Sequence, residues 1–323
     1  MRALLIVNPH ATSTTRGRRD VIVRALASAV DLEVVETRYR GDATRLASTA
    51  VSDKFGLVMT LGGDGTVNEA VNGLLGEADQ PGGSHEPPPA PEDIPALAAL
   101  PGGNANVFTR SLGLPEDPVD AAGRLIADLA AGNERYIGLG TANGRYFTFN
   151  AGLGLDAEVV RAVEGRRAAG RRLTPAFYAL TALSQYYRVT DRRTPAISIT
   201  EPAGICPTAV YSCIVSNSAP WTYLGSRPVF TNPDASFDTG LDLLALRGLG
   251  TIATARTLRQ MLTERTRPPR GRSVLSAHDL PGIVLRASRP VAFQLDGEYV
   301  GEAEEVSFCS VPDALRVIGK AAP

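Results

Sequence analysis

The run Gly56-Leu57-Val58-Met59-Thr60-Leu61-Gly62-Gly63-Asp64-Gly65-Thr66-Val67-Asn68-Glu69 decides how this chain folds. Gly56–Leu61 is a short apolar run, the pattern of a buried strand. It breaks into Gly62-Gly63-Asp64-Gly65, after which Val67, Val71, Leu74 and Leu75 recur at helical spacing. In open α/β sheets ligands collect at the carboxyl ends of strands. A helix N-terminus there offers free N–H groups and partial positive charge to an anion. Glycines that take positive φ let the backbone approach phosphate oxygens, and Thr66 and Asn68 add side-chain hydrogen bonds. The plain alternative is a tight turn after a strand. Asp-Gly-Thr and Asn-Glu, completing the run, favour the phosphate cradle.

Working toward the N-terminus, Ala3–Val7 reads as a buried strand stopped by Asn8-Pro9, and Arg18–Val30 as a helix with an apolar stripe. Leu32–Thr37 is a second strand and Ala43–Ser52 a second helix. On the other side, Asp79–Pro95 holds six prolines and two adjacent glycines, a loop inserted before the next strand, Ala96–Leu100. That strand ends in a second glycine turn, Pro101-Gly102-Gly103-Asn104-Ala105-Asn106, opening into a helix that Asn106 is placed to cap. Asp120–Ala131 is a further helix. This β-α-β-α order implies a parallel sheet with helices on both faces.

From about Tyr136 the rhythm changes to short β-rich runs between turn signals: Tyr146–Asn150, Ala196–Thr200, Ala209–Ser216, Leu241–Leu246, Ile283–Ala287 and Val291–Leu295. Helices are expected at Pro175–Tyr187 and Thr251–Thr263. The expected fold class is α/β. A doubly wound, mainly parallel α/β domain over residues 1–135 precedes an antiparallel β-sandwich domain over 136–310. Leu315–Ile318, within 311–323, is a candidate strand returning to the first domain. Gly138-Leu139-Gly140-Thr141-Ala142-Asn143-Gly144 imitates a dinucleotide fingerprint, but its spacing is wrong and no helix follows.

Composition bounds the rest. The chain has 323 residues, 44% of them hydrophobic and 21% charged, which is ample core material and excludes a disordered chain. Cys206, Cys213 and Cys309 lack C-x-x-C spacing, so a disulfide scaffold is excluded and a reducing compartment expected. His10, His85 and His278 are too scattered for a histidine metal centre and read as ordinary surface or loop residues. A net charge of −1 gives no pull toward nucleic acid. The N-terminal apolar run is too short for a signal peptide, and no stretch is long enough for a membrane helix. A cytoplasmic protein is expected, peripheral on the inner membrane face.

With these features in place, the chain resembles the diacylglycerol kinase catalytic family, which includes bacterial lipid kinases and sphingosine kinases. The resemblance rests on Asn8-Pro9, Thr37 with Gly41-Asp42-Ala43, Gly62–Glu69, Pro101-x-Gly103-x-x-Asn106-x-Phe108, Gly152-Leu153-Gly154-Leu155-Asp156-Ala157 and Asp296-Gly297-Glu298. It implies ATP and magnesium used by a lipid kinase acting on diacylglycerol or a related lipid. The expected nucleotide-binding residues are Asn8, Thr37, Gly62, Gly63, Asp64, Gly65, Thr66, Asn68, Gly103, Asn104 and Asn106. Glu298 is implied as the acceptor of the hydroxyl proton, with Asp296 and Asp64 ordering it or the metal. The family's Gly-Thr-x-Asn-Asp-Phe turn stands here with Asn104 and Val107. Its metal-supporting acidic region stands as Asp238-Thr239-Gly240-Leu241-Asp242, one residue shorter, which makes Asp238 and Asp242 candidates to support a magnesium ion. The plain alternative for Asp296-Gly297 is a hairpin turn.

For the lipid side, eight arginines lie between Arg161 and Arg193 against only Glu164 and Asp191, interleaved with an apolar, aromatic helical face. Such a run is usually a solvated face, but it also suits an anionic leaflet. The partners expected are a lipid substrate and an anionic membrane surface, with no nucleic acid; a homodimer stays open. Two other functions stay open as well. One is a kinase of a soluble substrate such as NAD, built on the shared glycine turn. The other is a non-catalytic nucleotide- or lipid-binding regulator, which would not need Asp64, Asp296 and Glu298 together.

Overall fold

A computed structural model describes residues 1–11, 15–76, 89–168, 175–188, 190–191, 193–201, 208–263 and 266–319. Most of the expected Asp79–Pro95 loop, together with Cys206, His85, Arg171, Arg172 and Arg192, lies outside them. The chain divides into two compact units. One comprises residues 1–139, 144–146 and 312–323; the other comprises 140–143 and 147–311.

The first unit runs β1 (Arg2–Val7), α1 (Arg16–Ala27), β2 (Asp31–Glu36), α2 (Asp42–Ser52), β3 (Leu57–Gly62), α3 (Asp64–Leu75), β4 (Ala96–Pro101), α4 (Val107–Ser111) and α5 (Pro118–Ala131), then enters β5 (Glu134–Ala142) and β6 (Arg145–Phe147). β1 pairs in parallel with β2 on one side and β3 on the other, and β4 follows β3 in parallel. Every residue of β3 and β4 is buried, because apolar runs of this kind can only be covered by helices on both faces. β2, at the edge, is charged and largely exposed. Helix ends follow their side chains. Asp117 accepts from the Val119 amide (2.9 Å) at the start of α5, Pro118 occupies the first turn, and Gly132 closes the helix at φ 66°. A Cβ on Gly73 would lie 2.2 Å from the Thr44 carbonyl oxygen, so this glycine sets how closely α3 packs on α2.

The second unit contains β7 (Asn150–Gly154), α6 (Leu155–Ala168), α7 (Pro175–Arg188), β8 (Ile197–Glu201), β9 (Thr208–Val210), β10 (Ser212–Ser216), β11 (Thr222–Leu224), β12 (Arg227–Val229), β13 (Leu241–Leu246), α8 (Thr251–Thr263), β14 (Val274–Leu280) and β15 (Gly282–Leu295). β16 (Glu298–Ile318) begins in it. Its antiparallel ladder has the order β14-β13-β10-β7-β15-β16, and β8 joins the upstream half of β15. One buried cluster draws on Leu153, Val215, Leu243, Ile199, Leu285 and Phe308, from strands along both arms of this ladder. The far end of β16 belongs to the first unit, where Val317 pairs in parallel with Leu97.

Several expected strands are cut differently. Tyr146–Asn150 is not one strand: β6 ends at Phe147 and β7 starts at Asn150. Ile283–Ala287 and Val291–Leu295 form one strand, β15, with a register shift between Arg286 and Val291. α6 was not foreseen, because Glu158, Arg161, Glu164 and Arg166 break any apolar stripe. The Gly138–Gly144 run is β5 followed by a turn with Asn143 at φ 48° and Gly144 at φ 84°, a hairpin and not a dinucleotide loop.

Candidate functional site

In the first unit the sheet order is β2-β1-β3-β4, so chain direction across the sheet reverses between β1 and β3. Such a reversal leaves a crevice at the carboxyl ends of the strands. Asn8 ends β1 there, and Gly62-Gly63 ends β3. The Asn8 amide donates to Thr66 Oγ1 (3.1 Å), while its side-chain oxygen accepts from the His10 backbone (2.9 Å). The end of β1 is thereby tied to the first turn of α3. A cavity of about 210 Å³ opens beside it, lined by Asn8, Pro9, Thr15, Arg16, Arg19 and Leu61. This cavity is too small for a whole nucleotide.

The two glycine turns touch backbone to backbone. Gly102 N donates to Gly62 O (2.7 Å), and a Cβ on Gly103 would stand 2.7 Å from Gly63 Cα. None of Gly62, Gly63, Gly65, Gly102 and Gly103 has positive φ. Glycine is needed here for close approach, not for a left-handed backbone as the sequence suggested. Asp64 joins the turns a second time, its Oδ1 accepting from Phe108 N (3.1 Å). The N–H groups of Gly63–Gly65 have no carbonyl four residues back within α3. Replacing Gly103 by Ala is expected to cost about 1–3 kcal/mol, because the obstacle is backbone that cannot rotate away. Gly123→Ala, in α5 with nothing within 4 Å, is expected to be neutral or stabilising. Thermal melting of the two variants measures the contrast.

Not every expected residue of this turn faces outward. Asn68 is buried and spent inside the first unit: its amide donates to Tyr146 O (3.0 Å) and its oxygen accepts from Arg145 (3.0 Å). In the structure Asn68, expected to hydrogen-bond phosphate, anchors the 144–146 turn. Asn106, at φ 47°, exchanges hydrogen bonds with Gly103 (2.8 and 2.9 Å) and so shapes the second turn. Asn104 is exposed, and Thr37 follows β2 with its amide on Val7 O (2.9 Å). Glu69 was quoted only as part of the run, yet it accepts from Gly41 N (2.8 Å) and Ala43 N (3.2 Å) and so caps α2.

In the second unit Asp296 and Gly297, at φ 48° and 75°, form the two-residue turn from β15 to β16. The hairpin reading holds, and Asp296 does more than turn the chain. It is 3% exposed, and its carboxylate accepts four hydrogen bonds: Thr148 N (2.7 Å), Thr148 Oγ1 (2.9 Å), Phe149 N (2.9 Å) and Asn150 N (3.2 Å). This grip is what separates β6 from β7. Glu298, the first residue of β16, is half-buried, and the amide of its neighbour Tyr299 donates to Glu164 of α6 (3.1 Å).

Behind the turn stands a polar chain that sequence reasoning missed. Gln294 accepts from Gly297 N (2.8 Å) and donates to Asn150 Oδ1 (2.9 Å) and Asp156 Oδ2 (2.8 Å), and Asn217 donates to Thr148 O (3.0 Å). The available signal was polar residues inside β-rich runs. Burial pushes the Asp156 carboxyl up to about 6, partly offset by the Gln294 amide. A carboxyl raised in the fold contributes stability that is present below its unfolded value and lost as pH rises to about 6. Asp156→Asn, which keeps an acceptor for Gln294, is therefore expected to raise the melting temperature at neutral pH, with the gain fading by about pH 4. Melting curves across that range check it.

The two residues proposed for magnesium sit differently. Asp238 is exposed. Asp242 is buried, faces His278 Nδ1 (2.7 Å) and accepts from Asp279 N (3.1 Å). Among the described residues no three His, Cys, Asp or Glu side chains converge as a metal group. His278 thus lies in a strand beside a buried carboxylate and not in a loop.

Residues 2–134 match the profile of the diacylglycerol kinase catalytic domain. A curated diacylglycerol kinase of Bacillus subtilis is 36% identical over 162 residues, 47% of this chain and 46% of that protein. One from Staphylococcus haemolyticus is 31% identical over 147 residues, 45% of this chain and 39% of that protein. The chain spans less than half the length of these curated relatives. A Bacillus anthracis crystal structure, whose diacylglycerol kinase assignment is provisional, is 26% identical with a TM-score of 0.73, over 99% of this chain and 97% of that one.

Proposed function

We propose that this chain, whose residues 2–134 match the diacylglycerol kinase catalytic domain, is a lipid kinase that moves the γ-phosphoryl group of ATP to a hydroxyl of diacylglycerol or a related lipid. The observation that carries this reading is the backbone contact of the Gly62-Gly63 and Gly102-Gly103 turns at the carboxyl ends of β3 and β4. Phosphoryl transfer asks a protein for alignment and charge stabilisation more than for covalent help. Two apposed turns without side chains, one opening into the N-terminus of α3, suit a polyphosphate. Asn8 and Thr66 hold that turn from the β1 side.

Magnesium bound with ATP would neutralise phosphate charge. With no three-ligand group among the described residues, the ion would take most of its ligands from phosphate and water, and Asp64 is the proposed protein oxygen. The attacking lipid hydroxyl must lose a proton, and Glu298 is the proposed acceptor. Asp296, buried and fully engaged, is a positioning residue for the turn that carries Glu298.

The test is one assay of the full chain with γ-labelled ATP against diacylglycerol, monoacylglycerol, sphingosine, ceramide and NAD. Label in an organic-extractable lipid is the expected result. Label in NAD alone, or in no acceptor, overturns the proposal.

A further inference from the structure

One side of α8 is packed: Thr257 and Met261, four residues apart, are buried, and Phe230 N donates to Met261 O (2.9 Å). Other residues of the helix are exposed. Ile252 is 88% exposed and Leu258 51%, with Arg256 and Arg259 exposed among them. α8 contains no acidic residue, and residues 247–273 hold seven arginines against Glu264 alone. Arg270 is fastened to the helix by two hydrogen bonds between its backbone and Gln260 (2.8 and 3.1 Å). Arg256, Arg259 and Arg270 make no ion pair among the described residues.

Of the arginines of 161–193, Arg161 and Arg166 behave otherwise, while Arg193 is exposed. Arg161 pairs with Glu302 (3.1 Å) and lies over the Tyr299 ring, and Arg166 donates to Thr181 (2.9 Å). Their charge is partly spent inside the second unit. That of α8 is not.

Single exposed apolar residues are ordinary. Exposed Ile252 and Leu258 on a helix whose only charged side chains are arginines, without ion pairs among the described residues, form a different pattern. A basic helix with exposed apolar side chains among its arginines can lie in the interface of an anionic bilayer, apolar side chains at the headgroup–acyl boundary and arginines on the phosphates. A second copy of this face would meet it with like charge, and a nucleic acid would leave Ile252 and Leu258 without a role. We propose that α8 is the surface on which this protein docks to an anionic lipid bilayer, with Ile252, Leu258, Arg256, Arg259 and Arg270 as the contact. Its purpose, reaching a lipid substrate, rests on the kinase reading; the docking itself does not.

The experiment is flotation of the full chain with vesicles of phosphatidylcholine, and of phosphatidylcholine and phosphatidylglycerol in equal parts, without ATP or acceptor. The chain is expected to float with the anionic vesicles only. R256Q/R259Q is expected to lower the partition coefficient about 30-fold, and I252S about tenfold, with melting unchanged because the replaced groups are exposed. Equal flotation with neutral vesicles overturns the proposal. So do variants that float like the parent, and so does a parent dimer that I252S dissolves. Arginine variants that lose binding while I252S keeps it also overturn it, since a purely electrostatic surface suits nucleic acid equally. Turnover on diacylglycerol in neutral detergent micelles, expected unchanged in both variants, separates the two readings. A protein that floats as described but phosphorylates no lipid loses only the kinase reading. A lipid kinase whose variants float like the parent loses only the docking face.

Discussion

Glu298→Gln is expected to lower kcat on the lipid acceptor by about 10²- to 10⁴-fold, the range for removing a general base. Glutamine keeps the size and the hydrogen-bonding reach of the side chain at the start of β16, so the turn should persist. The amide cannot take a proton, so the hydroxyl must attack without its acceptor. ATP affinity, set by the proposed glycine-turn cradle, is expected to stay near the parent value. Steady-state rates with diacylglycerol, together with equilibrium binding of a fluorescent ATP analogue, separate the two quantities. A variant with near-parental turnover removes Glu298 from the base role; one that has also lost ATP binding points to misfolding.

Asp296→Asn is expected to have the largest effect on stability. Four donors converge on two oxygens of a side chain that is 3% exposed. Asparagine offers one oxygen and turns an NH2 group toward backbone N–H groups that need an acceptor. Hydrogen bonds to a charged group are worth about 1.5–3 kcal/mol each, and unmade ones in the interior cost similar amounts. Because such contributions are not additive, the expected loss is about 3–5 kcal/mol, or a melting temperature lower by roughly 10 °C. Turnover should fall with it, since residues 148–150 and the turn bearing Glu298 are held by the same carboxylate. A variant that melts like the parent but has lost turnover would overturn the positioning role and return Asp296 to the reacting groups.

The α/β order of the first unit was legible because its signal is local. Ala3–Val7, Gly56–Leu61 and Ala96–Leu100 are apolar runs ended by glycine, proline or asparagine, and their burial needs no knowledge of a partner. The two glycine turns were legible for the same reason, although the left-handed backbone expected of them is absent and the close approach is of one turn to the other. α6 escaped because its charges are spread around the helix. The body of β16 escaped, although its end at Leu315–Ile318 was foreseen, because Glu302, Glu304, Glu305 and Asp313 dilute any alternation.

Residue types along the chain by themselves determined that strands alternate with helices through the first third, that two glycine bends follow two of those strands, and that short β runs come later. Only the tertiary structure decided what the polar side chains do. Asn68, expected to bond phosphate, holds Tyr146, and Asp296, expected to order the base or the metal, accepts hydrogen bonds from Thr148, Phe149 and Asn150. The reason is physical. An apolar residue needs only to leave water, which its neighbours' periodicity reveals, whereas a buried polar atom needs one particular partner, here 78 to 148 residues away, and no local pattern encodes that distance.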